Sequence, residues 1–181
     1  MTTNFSAMNG LFLEDLKVGQ LAMFGRTVTD ADIVAFAGVS GDTNPIHLHD
    51  GFARTTRFGQ RIAHGMLSGS YISTVIGTKL PGPGAVYISQ TMNFTAPVLI
   101  GDTVTAVATV TAIDEKRRRV TLRTQCLNGD KVVLDGEAVV LVPRRGYRTF
   151  QSCRSCGQAV LCPHCDVALT VHRSREGREW L

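Results

Sequence analysis

The chain has 181 residues, 44% of them hydrophobic and 19% charged. That is enough for one domain and a remainder, with a core that needs no disulfide staples. The apolar content excludes bulk disorder, and 18 glycines scattered without a period exclude a collagen-like chain. The formal charge of +4 is unevenly held: residues 1–143 carry 12 Lys/Arg against 12 Asp/Glu, and residues 144–181 carry 7 Arg against 3 acids. Four of the five cysteines share that last stretch. Two parts are therefore expected: a neutral body over 1–143, and a basic Cys-rich tail over 144–181 that is a possible partial zinc module. The neutral body argues against nucleic-acid binding as the main role.

The first residues, Met1-Thr2-Thr3-Asn4-Phe5, have no basic run and no apolar run, which reads as a cytoplasmic protein. Residues 15–20 suggest a turn and 21–28 a first strand. Thr29 suits a helix cap, with Asp30 and Asp32 in the first turn, where carboxylates favour the positive helix end. Ile33, Val34, Phe36, Ala37 and Val39 give that helix its apolar face, and Ser40-Gly41 should end it. A polar loop follows, Asp42-Thr43-Asn44-Pro45-Ile46-His47, and then a short helix over 50–56.

Residues 63–80 read as one helix. Met66, Leu67, Tyr71, Ile72, Val75 and Ile76 point several ways, so the helix should be covered by other structure on most sides. It is too short to span a membrane, and its stretch 65–78 holds eight Gly, Ser or Thr residues. Pro81-Gly82-Pro83-Gly84 ends it. From Ala85 the apolar period becomes two, predicting strands over 85–95, 103–113, 118–128 and 131–142. Asn128-Gly129 between apolar runs signals a hairpin. Arg117, Arg118 and Arg119, beside Asp114 and Glu115, read as a solvated turn. The order is an α+β class: an antiparallel sheet with one long buried helix, a pattern that fits a single hotdog fold.

Two groups of residues carry chemistry. Asp42, Asn44 and His47 put a carboxylate, an amide and an imidazole on a Pro-stiffened turn, where carboxylate and imidazole could share a water in general acid–base work. The same residues also suit a plain Asx turn with a satisfied, partly buried histidine. At the start of the long helix, Gly65 lets a ligand carbonyl approach free backbone N–H groups. That glycine also suits simple packing. Cys126 falls in a strand pattern and reads as a small core residue.

Taken together these residues resemble a known family. Phe36-Ala37-Gly38-Val39-Ser40-Gly41-Asp42-Thr43-Asn44-Pro45-Ile46-His47 is similar to the signature of MaoC-like (R)-specific enoyl-CoA hydratases. So are Ala63-His64-Gly65-Met66-Leu67, Leu80-Pro81-Gly82-Pro83-Gly84, Phe94-Thr95-Ala96-Pro97-Val98 and Gly101-Asp102-Thr103-Val104. The resemblance runs over about residues 11–142. It implies a hotdog homodimer and reversible syn addition of water to a trans-2-enoyl-CoA, with no cofactor and no membrane. Asp42 and His47 match the catalytic pair, Asn44 would orient them, the Gly65 N–H would serve the oxyanion, and Ser73 matches a serine near the pair. Met66, Leu67, Tyr71, Leu80 and Val86 are candidates to line the acyl tunnel. The product would feed polyhydroxyalkanoate or fatty-acid metabolism. A hotdog thioesterase is the alternative enzyme, but it would need a carboxylate on the long helix, and 65–78 has none.

In the tail, Cys153-Arg154-Ser155-Cys156 and Cys162-Pro163-His164-Cys165 form two CxxC pairs, a donor set that suits tetrahedral zinc. The stretch from Arg144 to His172 resembles part of the zinc-binding insert of the primosomal replication-restart helicase. That insert uses eight cysteines, and four are present here. No helicase ATPase motif accompanies them, so helicase activity is not implied. The tail leaves a nucleic-acid or protein interaction module as a further alternative.

Overall fold

The computed structural model describes residues 9–144, 172–173 and 179–180. Contacts divide the chain into two units, Met1–Pro143 and Arg144–Leu181. Within the second, the short strands His172–Arg173 and Glu179–Trp180 pair antiparallel. The tail cysteines Cys153, Cys156, Cys162 and Cys165 lie outside the described residues.

The first unit is one five-stranded sheet with helices. Its strands are β1 (Leu21–Thr27), β2 (Val86–Phe94), β3 (Thr103–Asp114), β4 (Arg119–Asn128) and β5 (Lys131–Leu141). The sheet order is β1-β3-β4-β5-β2, every pair antiparallel. The helices are α1 (Asp30–Ser40), α2 (Pro45–Leu48), α3 (Asp50–Arg54) and α4 (Gly65–Thr78). None of the helices among the described residues is long and apolar enough to cross a membrane.

The meander forms because side chains alternate faces along a strand. On β3, Val104, Ala106, Ala108 and Val110 are buried and their neighbours are not. Val120, Leu122, Thr124 and Cys126 do the same on β4. Ala106 and Ala108 have little volume, and α4 lies chiefly on β3. Its buried residues Leu67, Tyr71, Ile72, Val75 and Ile76 complete the core with them. A curved sheet around one central helix is the hotdog arrangement.

The helix is covered less completely than its sequence suggests. Met66, Ser73 and Gly77 lie one to two turns apart on a single exposed stripe. Among the described residues the sheet covers the side facing it, and this stripe stays exposed. Edge strand β2 is open too: Val86, Tyr87, Ile88 and Phe94 are all exposed.

Thr29 caps α1 by accepting from the Asp32 N–H, and Asp32 accepts in turn from the Thr29 N–H at 2.9 Å. The Thr29 hydroxyl and then the Arg26 guanidinium hold the Asp32 carboxyl down to about 2. The helix ends at Gly41, whose φ of 76° is left-handed and favours glycine. That turn delivers the chain into the polar loop.

Candidate active site

Asp42 follows Gly41 directly, and its carboxylate Oδ1 accepts from the Asn44 N–H at 3.2 Å. Asn44 in turn caps α2: its Oδ1 accepts from the Ile46 N–H at 3.2 Å, and Pro45 occupies the first helical position. One residue therefore grips the carboxylate with its backbone and starts the turn that carries His47 with its side chain. The short helix α2 has no apolar stripe of its own in sequence, and the four-residue turn is invisible to periodicity.

His47 is 8% exposed. Its Nδ1 lies 2.8 Å from the main-chain carbonyl of Ile62. A carbonyl only accepts, so Nδ1 carries the proton and Nε2 of the neutral ring holds a lone pair. Burial pushes the His47 pKa below the ordinary imidazole value. The Ile62 carbonyl opposes that shift, His64 adds to it, and Asp42 opposes it weakly. Ile62 is itself fixed: it bridges to Leu99, and its N–H donates to the Ile46 carbonyl at 3.4 Å.

His64 is 2% exposed. Its ring centroid stands 3.9 Å from that of His47, the planes tilted by 32°, and 5.0 Å from that of Phe36. Its Nε2 donates to the main-chain carbonyl of Asp42 at 3.0 Å. One ligand atom from each of Asp42, His47 and His64 lies within 4.8 Å of the others. His64 was readable only as the neighbour of Gly65; an isolated histidine before a glycine carries no signal that it will stack on another histidine.

These three residues line a cavity of about 400 Å³, together with Arg57, Phe58, Gly65, Met66, Phe94 and others from the segment 94–98. Gly65 is the first residue of α4 and lines the same cavity, where the first N–H groups of a helix lack internal partners. A Cβ on Gly65 would sit 2.9 Å from the Phe94 ring, so the helix start and that ring are close only because no side chain intervenes. Arg57 lies with its guanidinium 4.8 Å from the Phe58 ring centroid.

The structure thus brings Asp42, Asn44, His47 and Gly65 to one place. It does not bring Ser73 there. Two turns further along α4, Ser73 lines a separate hollow with Phe36, Met66, Tyr87 and Met92. Of the expected acyl-tunnel residues, Met66 alone lines the dyad cavity. Leu67, Tyr71 and Leu80 point into the core, and Val86 is exposed on β2. Cys126 is a core residue: its thiol donates to the Ser68 carbonyl at 3.3 Å, and burial pushes its pKa up to about 12.

A carboxylate, an imidazole and a helix N-terminus thus border one half-open cavity inside a hotdog fold, a set of groups able to accept and donate protons. The chain belongs to the MaoC like domain family, whose description matches residues 17–129. The (R)-specific enoyl-CoA hydratase of Rhodospirillum rubrum is 54% identical over 135 residues, covering 75% of this chain and 94% of that protein. The 3-hydroxybutyryl-CoA dehydratase of Methylorubrum extorquens is 53% identical over 135 residues, covering 75% of this chain and 86% of that protein. Among solved structures, an (R)-hydratase from A. caviae is 43% identical with a TM-score of 0.70, covering 72% of this chain and 99% of that one. The C-terminal region is similar to replication restart protein PriA of Bacillus subtilis, 44% identical over 45 residues; the match covers 24% of this chain and 6% of that protein.

Proposed function

We infer that this protein is an (R)-specific enoyl-CoA hydratase, a hydro-lyase that adds water reversibly to trans-2-enoyl-CoA and gives (R)-3-hydroxyacyl-CoA. The observation that carries the chemistry is the hydrogen bond of His47 Nδ1 to Ile62, which leaves a lone pair on Nε2 in the cavity shared with Asp42. A water between them donates one O–H to the Asp42 carboxylate and one to His47 Nε2. Its oxygen bonds to C3 as the pair takes one proton. The C2=C3 electrons move onto C2 and into the thioester carbonyl, whose oxygen receives the Gly65 N–H. The proton then passes from the pair to C2. Because the pair holds one water on one face, hydroxyl and proton arrive on the same face.

Asp42 and His47 act as a coupled pair in this scheme. Asn44 holds Asp42 and α2 in register, and residues 1–143 make up the catalytic domain. The steps need a base, an acid and an oxyanion donor and call for no cofactor. Crotonyl-CoA consumption by the purified protein, without release of free CoA, tests this reading. Free CoA appearing in place of the hydroxyacyl product would replace it with thioester hydrolysis.

The working form is a homodimer in the cytoplasm. Supporting the dimer are, among the described residues, the outer edge of β2 and the exposed Met66, Tyr87, Ile88 and Phe94. Sedimentation at micromolar concentration should give twice the chain mass. The product suits polyhydroxyalkanoate synthesis or another acyl-CoA pathway. In the tail, Cys153, Cys156, Cys162 and Cys165 are proposed to hold one zinc ion, on the strength of two CxxC pairs. Metal analysis of the purified chain should find about one zinc per chain, and none would remove that assignment.

A further inference from the structure

We propose that His64 is a positioning residue for hydration, whose ring holds the Asp42 main chain and the His47 imidazole in one fixed relation. The proposal rests on the hydratase reading. Four observations lead to it. His64 is 2% exposed and lines the same cavity as Asp42 and His47. Its ring lies against both Phe36 and His47, with centroids 5.0 and 3.9 Å away. Its Nε2 donates to the Asp42 carbonyl at 3.0 Å. Its Nδ1 is buried without a hydrogen-bond partner among the described residues.

The last observation separates a working histidine from a filler. An orphaned buried acceptor costs stability, and a phenylalanine or leucine would fill the slot without that cost. What only the imidazole supplies is a flat ring against His47 together with a donor to Asp42. The donor bond also fixes the tautomer, because a carbonyl cannot donate: Nε2 is protonated and Nδ1 is bare.

The titratable groups that share the cavity with His64 are Asp42, His47 and Arg57. With Nε2 committed to the Asp42 carbonyl and its ring against His47, His64 works through these two residues. It locks the main chain on one side of the water site and the ring on the other. A shift of either by about 1 Å is enough to lower turnover about a hundredfold.

Two variants and one measurement on the unaltered protein test this. His64→Phe keeps a flat ring and removes the donor. His64→Gln restores an N–H that can reach a carbonyl. With crotonyl-CoA, His64→Phe should lower kcat about thirtyfold with KM changed less than about threefold. The acid limb of its kcat/KM profile should move up toward the ordinary imidazole value, as a loosened His47 gains solvent. His64→Gln should recover about tenfold of the lost kcat. A His64→Phe protein with unchanged kcat and acid limb but a lower Tm would reduce His64 to packing and overturn the proposal. Equal losses in both variants would overturn it too. In the full-length protein, 15N NMR of the imidazoles gives a readout free of activity. His64 should show the Nε2–H tautomer that its bond to the Asp42 carbonyl requires. An Nδ1–H tautomer contradicts the proposal even if the wild-type protein hydrates nothing.

Discussion

His47 donates through Nδ1 to the carbonyl of Ile62, 2.8 Å away, and this bond leaves Nε2 as the only ring nitrogen able to accept a proton. Ile62 belongs to a segment pinned from both sides: its neighbour Arg61 bridges Asp30 at 2.7 Å and Asp50 at 2.8 Å, and its other neighbour Ala63 donates to the Val98 carbonyl at 2.8 Å. His47 is thus oriented by backbone that the surrounding elements hold in place.

Replacing either member of the pair should remove the proton relay and leave the fold. Asp42→Asn and His47→Gln are each expected to lower kcat for crotonyl-CoA by at least about a hundredfold, with far-UV circular dichroism unchanged. A rate near the wild-type value in either variant would remove the pair from the mechanism.

Activity should fall on the acid side below the ordinary imidazole range. The pKa of His47 is lowered, chiefly by burial, so the neutral base persists to a pH below 6.5. The same shift acts on stability with a definite sign. Below pH 6.5 the unfolded chain takes up a proton on this histidine before the folded chain does. Stability contributed here is complete above 6.5 and declines as pH falls from 6.5 to the folded value. A kcat/KM profile and denaturant titrations across that window check both, and an acid limb lying above pH 6.5 would contradict the burial of His47.

Much of this was legible in the sequence, for physical reasons that differ by element. The strands could be read because β3 buries alternate residues, from Val104 to Val110, and the start of α1 because Thr29 and Asp32 satisfy each other's N–H groups. The proximity of Asp42 and His47 followed from six residues of stiff loop. What could not be read depends on contacts distant in sequence. His64 meets Asp42 across 22 positions, and His47 meets the Ile62 carbonyl across 15. Ser73 shares a helix with Gly65, but eight residues advance the chain by about 12 Å, so a motif match could not place both in one cavity of a single chain. The tunnel candidates Leu67, Tyr71 and Leu80 are apolar residues for which core packing and ligand contact leave the same sequence signal.

Asn44→Ala should act on both halves of the loop at once. Losing the cap of α2 is expected to cost about 1 kcal/mol of stability, and the drift of His47 should lower kcat more than it raises KM. Asn44→Asp, which keeps an acceptor oxygen for the Ile46 N–H, should restore most of the stability. Thermal melts and steady-state rates of the two variants check this, and equal stability of Ala and Asn at position 44 would remove the capping role.

Gly65→Ala places a methyl group against the Phe94 ring, 2.9 Å from its nearest carbon. The ring must move, and the space in front of the first α4 N–H groups shrinks. Expected is a loss in kcat of about tenfold or more, because the developing enolate loses part of its donor. Phe94→Leu in the same chain should relieve the clash and return part of the rate. Unimpaired turnover in Gly65→Ala would place the oxyanion donor elsewhere.

Truncation after Pro143 should leave hydration within about twofold of the full chain if the body is an independent domain. A larger loss of rate would assign the tail a part in the reaction.

The most direct measurement is hydration of crotonyl-CoA in D₂O, with the configuration read at both carbons of the product. One water held between Asp42 and His47 should give (R) at C3 and a single deuterium at C2 on the face that received the hydroxyl. Deuterium on the opposite face, a racemic C3, or free CoA without hydroxyacyl product would contradict hydration by this pair.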